Sequence, residues 1–150
     1  MASPARISTA VREQVRQRAK YLCEYCHASE RWQYVAFTMD HIVPLSQGGS
    51  NDVDNLALAC FPCNRRKSDR QEIVAPETGA SVRLFHPRQD QWAEHFIWSR
   101  DGLSVIGRTA IGRATVEALE LNRERVWRLR AADREIGRHP PEGDPLESSE

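Results

Sequence analysis

Two cysteine pairs, Cys23-x-x-Cys26 and Cys60-x-x-Cys63, are the strongest chemical signal in the chain. A two-residue gap lets each pair close on one tetrahedral ion, and zinc is the expected occupant. Four thiolates leave no coordination position for water or substrate, so the site is expected to staple the fold rather than to catalyse. Two weaker readings stand beside this one. Four incidental cysteines would require both pairs to fall at ligand spacing by chance, and a redox Cys-x-x-Cys does not explain why two pairs bracket one insert.

That insert carries Asp40-His41-Ile42-Val43-Pro44, then Gly48-Gly49, then Asn55-Leu56, and the second pair leads directly into Asn64-Arg65-Arg66-Lys67. In this order the residues resemble the signature of the HNH endonuclease family, the His-Me finger or ββα-metal proteins, seen also in the nuclease domain of CRISPR effectors. The resemblance runs from about Tyr21 to Arg70. It implies a strand-strand-helix unit that holds one divalent ion against a scissile phosphate, and an endonuclease that leaves 5′-phosphate and 3′-hydroxyl ends on DNA. Asn55 resembles the middle motif residue, which fixes the loop and orients the histidine, so a supporting catalytic role is implied for it. Members often have histidine at the last motif position, where this chain has Asn64, and the chain resembles the variant reading His, Asn, Asn.

The chemistry of the residues agrees with that resemblance. Hydrolysis of a phosphodiester needs an activated water, a neutraliser of phosphate charge and a stabiliser of the leaving oxygen. An imidazole, with an ordinary pKa of about 6.5, is largely in its base form near neutrality, which suits His41 to take a proton from water. Asp40 and Asn64 are expected to give oxygen ligands to Mg²⁺ or Mn²⁺, hard ions that prefer such donors, while zinc stays at the cysteines. Arg65, Arg66 and Lys67 follow Asn64 on the same helix and are expected to contact phosphates flanking the cut. No groove-reading element is identified, so no sequence-specific recognition is expected.

These side chains need elements to position them. Residues 1–20 read as a loose leader and a basic helix over 9–21, with Val11, Val15, Ala19 and Leu22 as its apolar stripe. Residues 21–72 read as the nuclease core. Within it a strand over 32–39 ends at Asp40-His41, a loop spans 46–54, a strand covers 56–59, and a helix starts near Phe61 and reaches Asp69 or Glu72. Adjacent strand residues point to opposite faces, so Asp40 and His41 can serve one phosphate only if the strand ends or twists there. Residues 73–138 read as an extension packed on the core, with a turn at Glu77-Thr78-Gly79, a strand over 82–85, and a hairpin around Arg100-Asp101-Gly102. A helix capped by Thr109 and a second capped by Asn122 complete it. Residues 139–150 read as a disordered acidic tail. The fold class is therefore α+β, a ββα core stapled by four cysteines with an added hairpin and two helices.

Composition is that of a soluble globular protein: of 150 residues, 40% are hydrophobic and 28% charged, with no run long enough to span a bilayer. The cytoplasm is the expected compartment, because residues 1–10 lack the apolar core of a secretory signal. The 21 basic and 21 acidic residues cancel, which by itself disfavours a polyanion as partner. Yet Arg6, Arg12, Arg16, Arg18 and Lys20 face only Glu13 within the first helix region, and local sign matters more than the sum. DNA is the expected partner, and the apolar residues Ile111, Val116, Leu119, Val126 and Leu129 of the last two helices meet either within the chain or across a homodimer. His27, His86, His95 and His139 lack acidic or amide company and read as surface or packing residues. Asp52 and Asp54 read as loop caps, and Trp92, Trp98 and Trp127 as packing. The alternative to a nuclease is a non-catalytic zinc module that binds nucleic acid or a protein partner, which would not require Asp40, His41, Asn55 and Asn64 together.

Overall fold

The computed structural model describes residues 6–144; the first five and last six residues of the expected leader and tail lie outside it. Helix α1 (Thr9–Arg18) starts where the Ser8 hydroxyl accepts from the Val11 amide at 3.1 Å. It stops earlier than its apolar periodicity suggests. Lys20 and Tyr21 take positive φ values of 56° and 61°, and the Tyr21 amide turns back to the Arg16 carbonyl at 2.9 Å. The reversal delivers the chain into the first cysteine pair. Val15 is fully buried, and the Arg18 guanidinium donates to the carbonyls of Val53 and Leu56, fixing α1 to the segment between the cysteine pairs.

Strands β1 (Thr38–His41) and β2 (Leu56–Ala59) pair antiparallel, with Asp40 opposite Ala57 and His41 opposite Leu56. Helix α2 (Phe61–Lys67) follows at once. All four β2 residues are buried, and the β2 backbone is bonded on its other side as well. Glu24, inside the first cysteine pair, accepts from the Leu58 amide through its carboxylate at 2.7 Å and donates its own amide to the Leu58 carbonyl at 2.8 Å.

Three boundaries differ from expectation. Residues 32–37 do not join β1; Glu30–Trp32 is a helical turn, and Tyr34 and Val35 are exposed, so the aromatic and β-branched run was not the half-buried pattern that makes a strand. Helix α2 ends at Lys67 because Ser68 adopts a positive φ of 53°. Beyond a turn, β3 (Glu72–Val74) begins at the far limit expected for that helix and pairs with β4 (Ser81–Arg83) across the expected turn.

A short helix α3 (Trp92–His95) runs into β5 (Phe96–Trp98), and β6 (Val105–Gly107) completes the hairpin that Asp101-Gly102 turns. Helix α4 (Ala110–Ala118) is capped by Thr109, as expected, and it crosses the chain closely at Gly112, where a Cβ would lie 2.0 Å from the His95 carbonyl oxygen. Helix α5 (Glu124–Glu135) is not capped by Asn122. The Asn122 amide instead clasps Val105, accepting from its N–H at 2.7 Å and donating to its carbonyl at 2.8 Å. That bond pair closes the hairpin where the ladder ends.

The C-terminal elements share one core with the cysteine segment. The Trp92 indole donates to the Tyr25 carbonyl at 3.0 Å, and Phe85, Phe96, Trp98, Leu119 and Leu121 are buried with Tyr25 and Val15. Residues 139–144, expected to be disordered, pack instead: His139 stands edge-on to Trp98, and the buried Asp144 carboxylate accepts from the Trp98 indole at 2.7 Å and meets His27 Nδ1 at 2.8 Å. An acidic composition concealed a residue with two buried partners. The dimer expectation finds no support, since Ile111, Val116 and Leu119 pack into the chain's own core while Leu129 is half-exposed. No helix among the described residues is long and apolar enough to cross a membrane.

Candidate metal centre and active site

The four cysteine sulfurs lie within 4.8 Å of one another, all buried and none in a disulfide. Cys26 Sγ and Cys60 Sγ are 3.8 Å apart. Zinc–thiolate bonds of about 2.3 Å place the corners of a tetrahedron about 3.8 Å apart, whereas a disulfide needs about 2.05 Å. The arrangement can therefore hold zinc. Local backbone explains it: the Cys23 amide and carbonyl bond Ala28 and His27 at 2.8 and 2.9 Å, closing a tight knuckle in which His27 takes a positive φ of 61°. Cys60 is the N-cap residue of α2, and Pro62 in the first turn costs no helical hydrogen bond, so Cys63 is delivered on the buried face. Without a cation Cys23, Cys26 and Cys63 are mismatched. Burial pushes the Cys23 thiol well up, bonds from the other sulfurs push Cys63 up, and the same bonds hold Cys26 well down. A divalent cation resolves that conflict, because it favours the thiolate at every corner.

Around β1 the structure separates residues that sequence grouped. His41, the last residue of β1, is half-buried, and its Nε2 lies 2.7 Å from Asn51 Oδ1. An amide oxygen facing Nε2 favours the tautomer protonated there, the one that leaves Nδ1 as an acceptor. The side-chain amide bonded to the ring is that of Asn51, while Asn55 makes other bonds. Asn55 fixes the loop: its Oδ1 accepts from the Val43 amide at 2.9 Å, and its Nδ2 donates to the carbonyls of Val43 and Ser50 at 3.0 and 2.9 Å. Gly49 must be glycine there, because a Cβ would lie 1.8 Å from the Val43 carbonyl oxygen. Asn51 was missed because a Gly-Gly-Ser-Asn run reads as any polar loop.

Asp40 points inward from the strand. Its Oδ2 accepts from the Tyr25 hydroxyl at 2.6 Å and its Oδ1 from Lys67 Nζ at 3.3 Å. Burial raises its pKa above the ordinary carboxylate value, outweighing Lys67 and Tyr25, which lower it. Lys67 is correspondingly not a phosphate contact. It is 2% exposed, and its ammonium also donates to the carbonyls of His41 and Ile42 at 3.1 and 3.3 Å, so three N–H groups meet three acceptors. This ammonium ties α2 to the end of β1. Arg66 is paired with Glu120 at 2.7 Å, while Arg65 is exposed. The four other histidines have packing roles. His27 stacks on Trp92, His95 bonds Thr109, His139 bonds the Gly102 carbonyl, and His86 Nδ1 accepts from the amides of Arg88 and Gln89.

Asn64 lies one turn before Lys67 on α2 and is half-buried, and its side-chain amide makes no hydrogen bond among the described residues. The donor set of one carboxylate and one amide oxygen suits a hard divalent ion, and each Asp40 oxygen keeps lone-pair capacity beyond its present partner.

Replacing Lys67 by methionine should cost about 3–5 kcal/mol, because it strands a buried carboxylate. Denaturant unfolding checks this. Asp40 would then favour its neutral form in the fold still more strongly, so the variant should lose stability as pH rises through the folded Asp40 pKa. Adding Asp40→Asn should recover much of the loss, whereas a Lys67→Met chain as stable as wild type would show that the ion pair has no structural weight.

Residues 23–70 match the model of the HNH endonuclease family. No curated protein and no solved structure matches the chain. The match opens on Cys23, closes just beyond α2, and contains both cysteine pairs and every expected active-site residue. The chain thus carries an HNH-family segment, a class associated with nuclease chemistry on nucleic acid, embedded in an α+β fold of small antiparallel sheets.

Proposed function

We propose that the chain is a metal-dependent endonuclease that hydrolyses DNA phosphodiester bonds, with zinc at Cys23, Cys26, Cys60 and Cys63 serving the fold. The observation that carries this reading is the His41–Asn51 bond within the HNH segment. A histidine held through Nε2 at a strand end, with Nδ1 left as an acceptor, is poised as a base. Neither a zinc staple nor a packing contact requires that arrangement.

In this mechanism His41 Nδ1 takes the proton of the attacking water, and Asn51 keeps the tautomer and the ring plane. Asn55 and Gly49 hold the loop that carries Asn51. Asp40 and Asn64 would hold a divalent ion, Mg²⁺ or Mn²⁺, which would supply positive charge for the phosphate and the leaving oxygen. Lys67 keeps Asp40 and the β1 end in register, and Arg65 is the basic side chain of α2 open to a flanking phosphate.

Purified protein with Mg²⁺ or Mn²⁺ should nick plasmid DNA, and excess chelator should stop it. Asn51→Ala should lower turnover about tenfold, in the range of a lost orienting partner, without changing zinc content. An Asn51→Ala enzyme that cuts as fast as wild type would remove the orienting role.

A further inference from the structure

A cavity of about 280 Å³ opens between the first cysteine knuckle and α5. Trp32, Arg123, Arg125, Arg130 and Arg138 line it, and Asp133 is the single acid among its lining residues. In a chain whose charges cancel, four guanidiniums around one cavity are a local concentration. They are not all available. Arg130 is buried and donates to the carbonyls of Leu103 and Leu121 at 2.9 and 2.8 Å, with its charge set toward the thiols of Cys26 and Cys63. Among the described residues Arg123 bonds a backbone carbonyl alone, that of Glu120 at 3.2 Å. Arg125 is exposed and makes no ion pair among the described residues. Arg138 lays its guanidinium 4.1 Å from the centroid of the Trp32 ring, and Trp32 itself is 50% exposed.

We propose that this cavity binds single-stranded nucleic acid, an unpaired base stacking on Trp32 and its neighbouring phosphates meeting Arg123, Arg125 and Arg138. An exposed indole beside guanidiniums that make no ion pair among the described residues is the combination that holds single strands, since every base has a stacking face and every linkage a charge. A protein or peptide with acidic side chains would use the arginines but would leave the indole unexplained. Duplex bases are already stacked on one another, so the indole selects for an unpaired segment. The inference deepens the nuclease reading, and rests on it in taking the occupant to be a strand of the same substrate.

Binding can be read without cutting. In a His41→Ala chain with no added divalent ion, anisotropy of a labelled oligothymidine of about 15 nucleotides should report binding. Trp32→Leu should weaken it about tenfold. The pair Arg125→Ala/Arg138→Ala should also weaken it, and should make the salt dependence shallower by about 0.7 in log-log slope for each arginine removed. Zinc content equal to the parent's would show that these variants fold. Affinity and salt slope unchanged in both variants would overturn the proposal, even if wild type cuts plasmid. Loss of binding in both, together with no cutting by wild type under any divalent ion, would uphold the cavity and defeat the nuclease reading.

Discussion

A chain stripped of zinc under reducing conditions should lose its cooperative fold. Structural zinc in four-thiolate sites contributes roughly 10–16 kcal/mol of binding free energy, as much as or more than the roughly 5–15 kcal/mol by which a domain of this kind is stable. The cysteines stand at a mechanical junction here. Cys23 and Cys26 belong to the knuckle whose Glu24 bonds the β2 backbone, while Cys60 and Cys63 begin α2. Without a divalent ion the four buried sulfurs crowd within 4.8 Å of one another. Cys63→Ser should have nearly the same effect, because Cys63 is fully buried and a hydroxyl is a poor replacement for a thiolate ligand. Thermal unfolding with and without a tight chelator checks both, alongside metal content by native mass spectrometry. A metal-free chain that melts as cooperatively and at the same temperature would show that the cysteines only pack.

His41→Ala should lower the rate of DNA cleavage by about 10²–10⁴-fold, the range over which a positioned general base acts. The fold should not register the change. His41 is half-buried at the end of β1, its side chain bonds only Asn51 among the described residues, and the β1 register is set by backbone pairing and by Lys67. Zinc content and melting temperature should therefore stay near those of wild type. Added imidazole should restore part of the lost activity, since a cavity and an adjacent amide remain to receive it. Restoration by imidazole separates a missing base from a missing prop, because a prop would not be replaced by a freely diffusing ring.

Sequence carried the parts of this site whose chemistry is local. Cysteine spacing, the apolar four residues of β2, Pro62 at the start of α2 and Thr109 at the start of α4 all act through neighbours a few positions away. Lys67 shows why the rest was hidden. In the run Asn64-Arg65-Arg66-Lys67 it reads as one more surface charge, yet it lies four residues after Cys63 and so shares its buried face. A stricter reading of helical period would have turned it inward. Asp40 was read as a metal ligand without its partner Tyr25, which comes from the first knuckle fifteen residues away, and no local pattern joins those two. Asn51 and Asn122 were hidden for the same reason: each amide acts on a partner fixed by tertiary packing, His41 in one case and Val105 in the other. Asp144 was lost to its acidic surroundings, although it meets two buried rings.

The measurement that bears most directly on the nuclease reading is single-turnover nicking of supercoiled plasmid with Mn²⁺, wild type beside His41→Ala, at equal zinc content. Wild type should convert the plasmid to nicked and linear forms while the variant leaves it supercoiled over the same interval. Equal rates from the two proteins would remove His41 as the base, and DNA binding by wild type without cleavage under Mg²⁺, Mn²⁺ or other divalent ions would leave a zinc module that holds nucleic acid without cutting it.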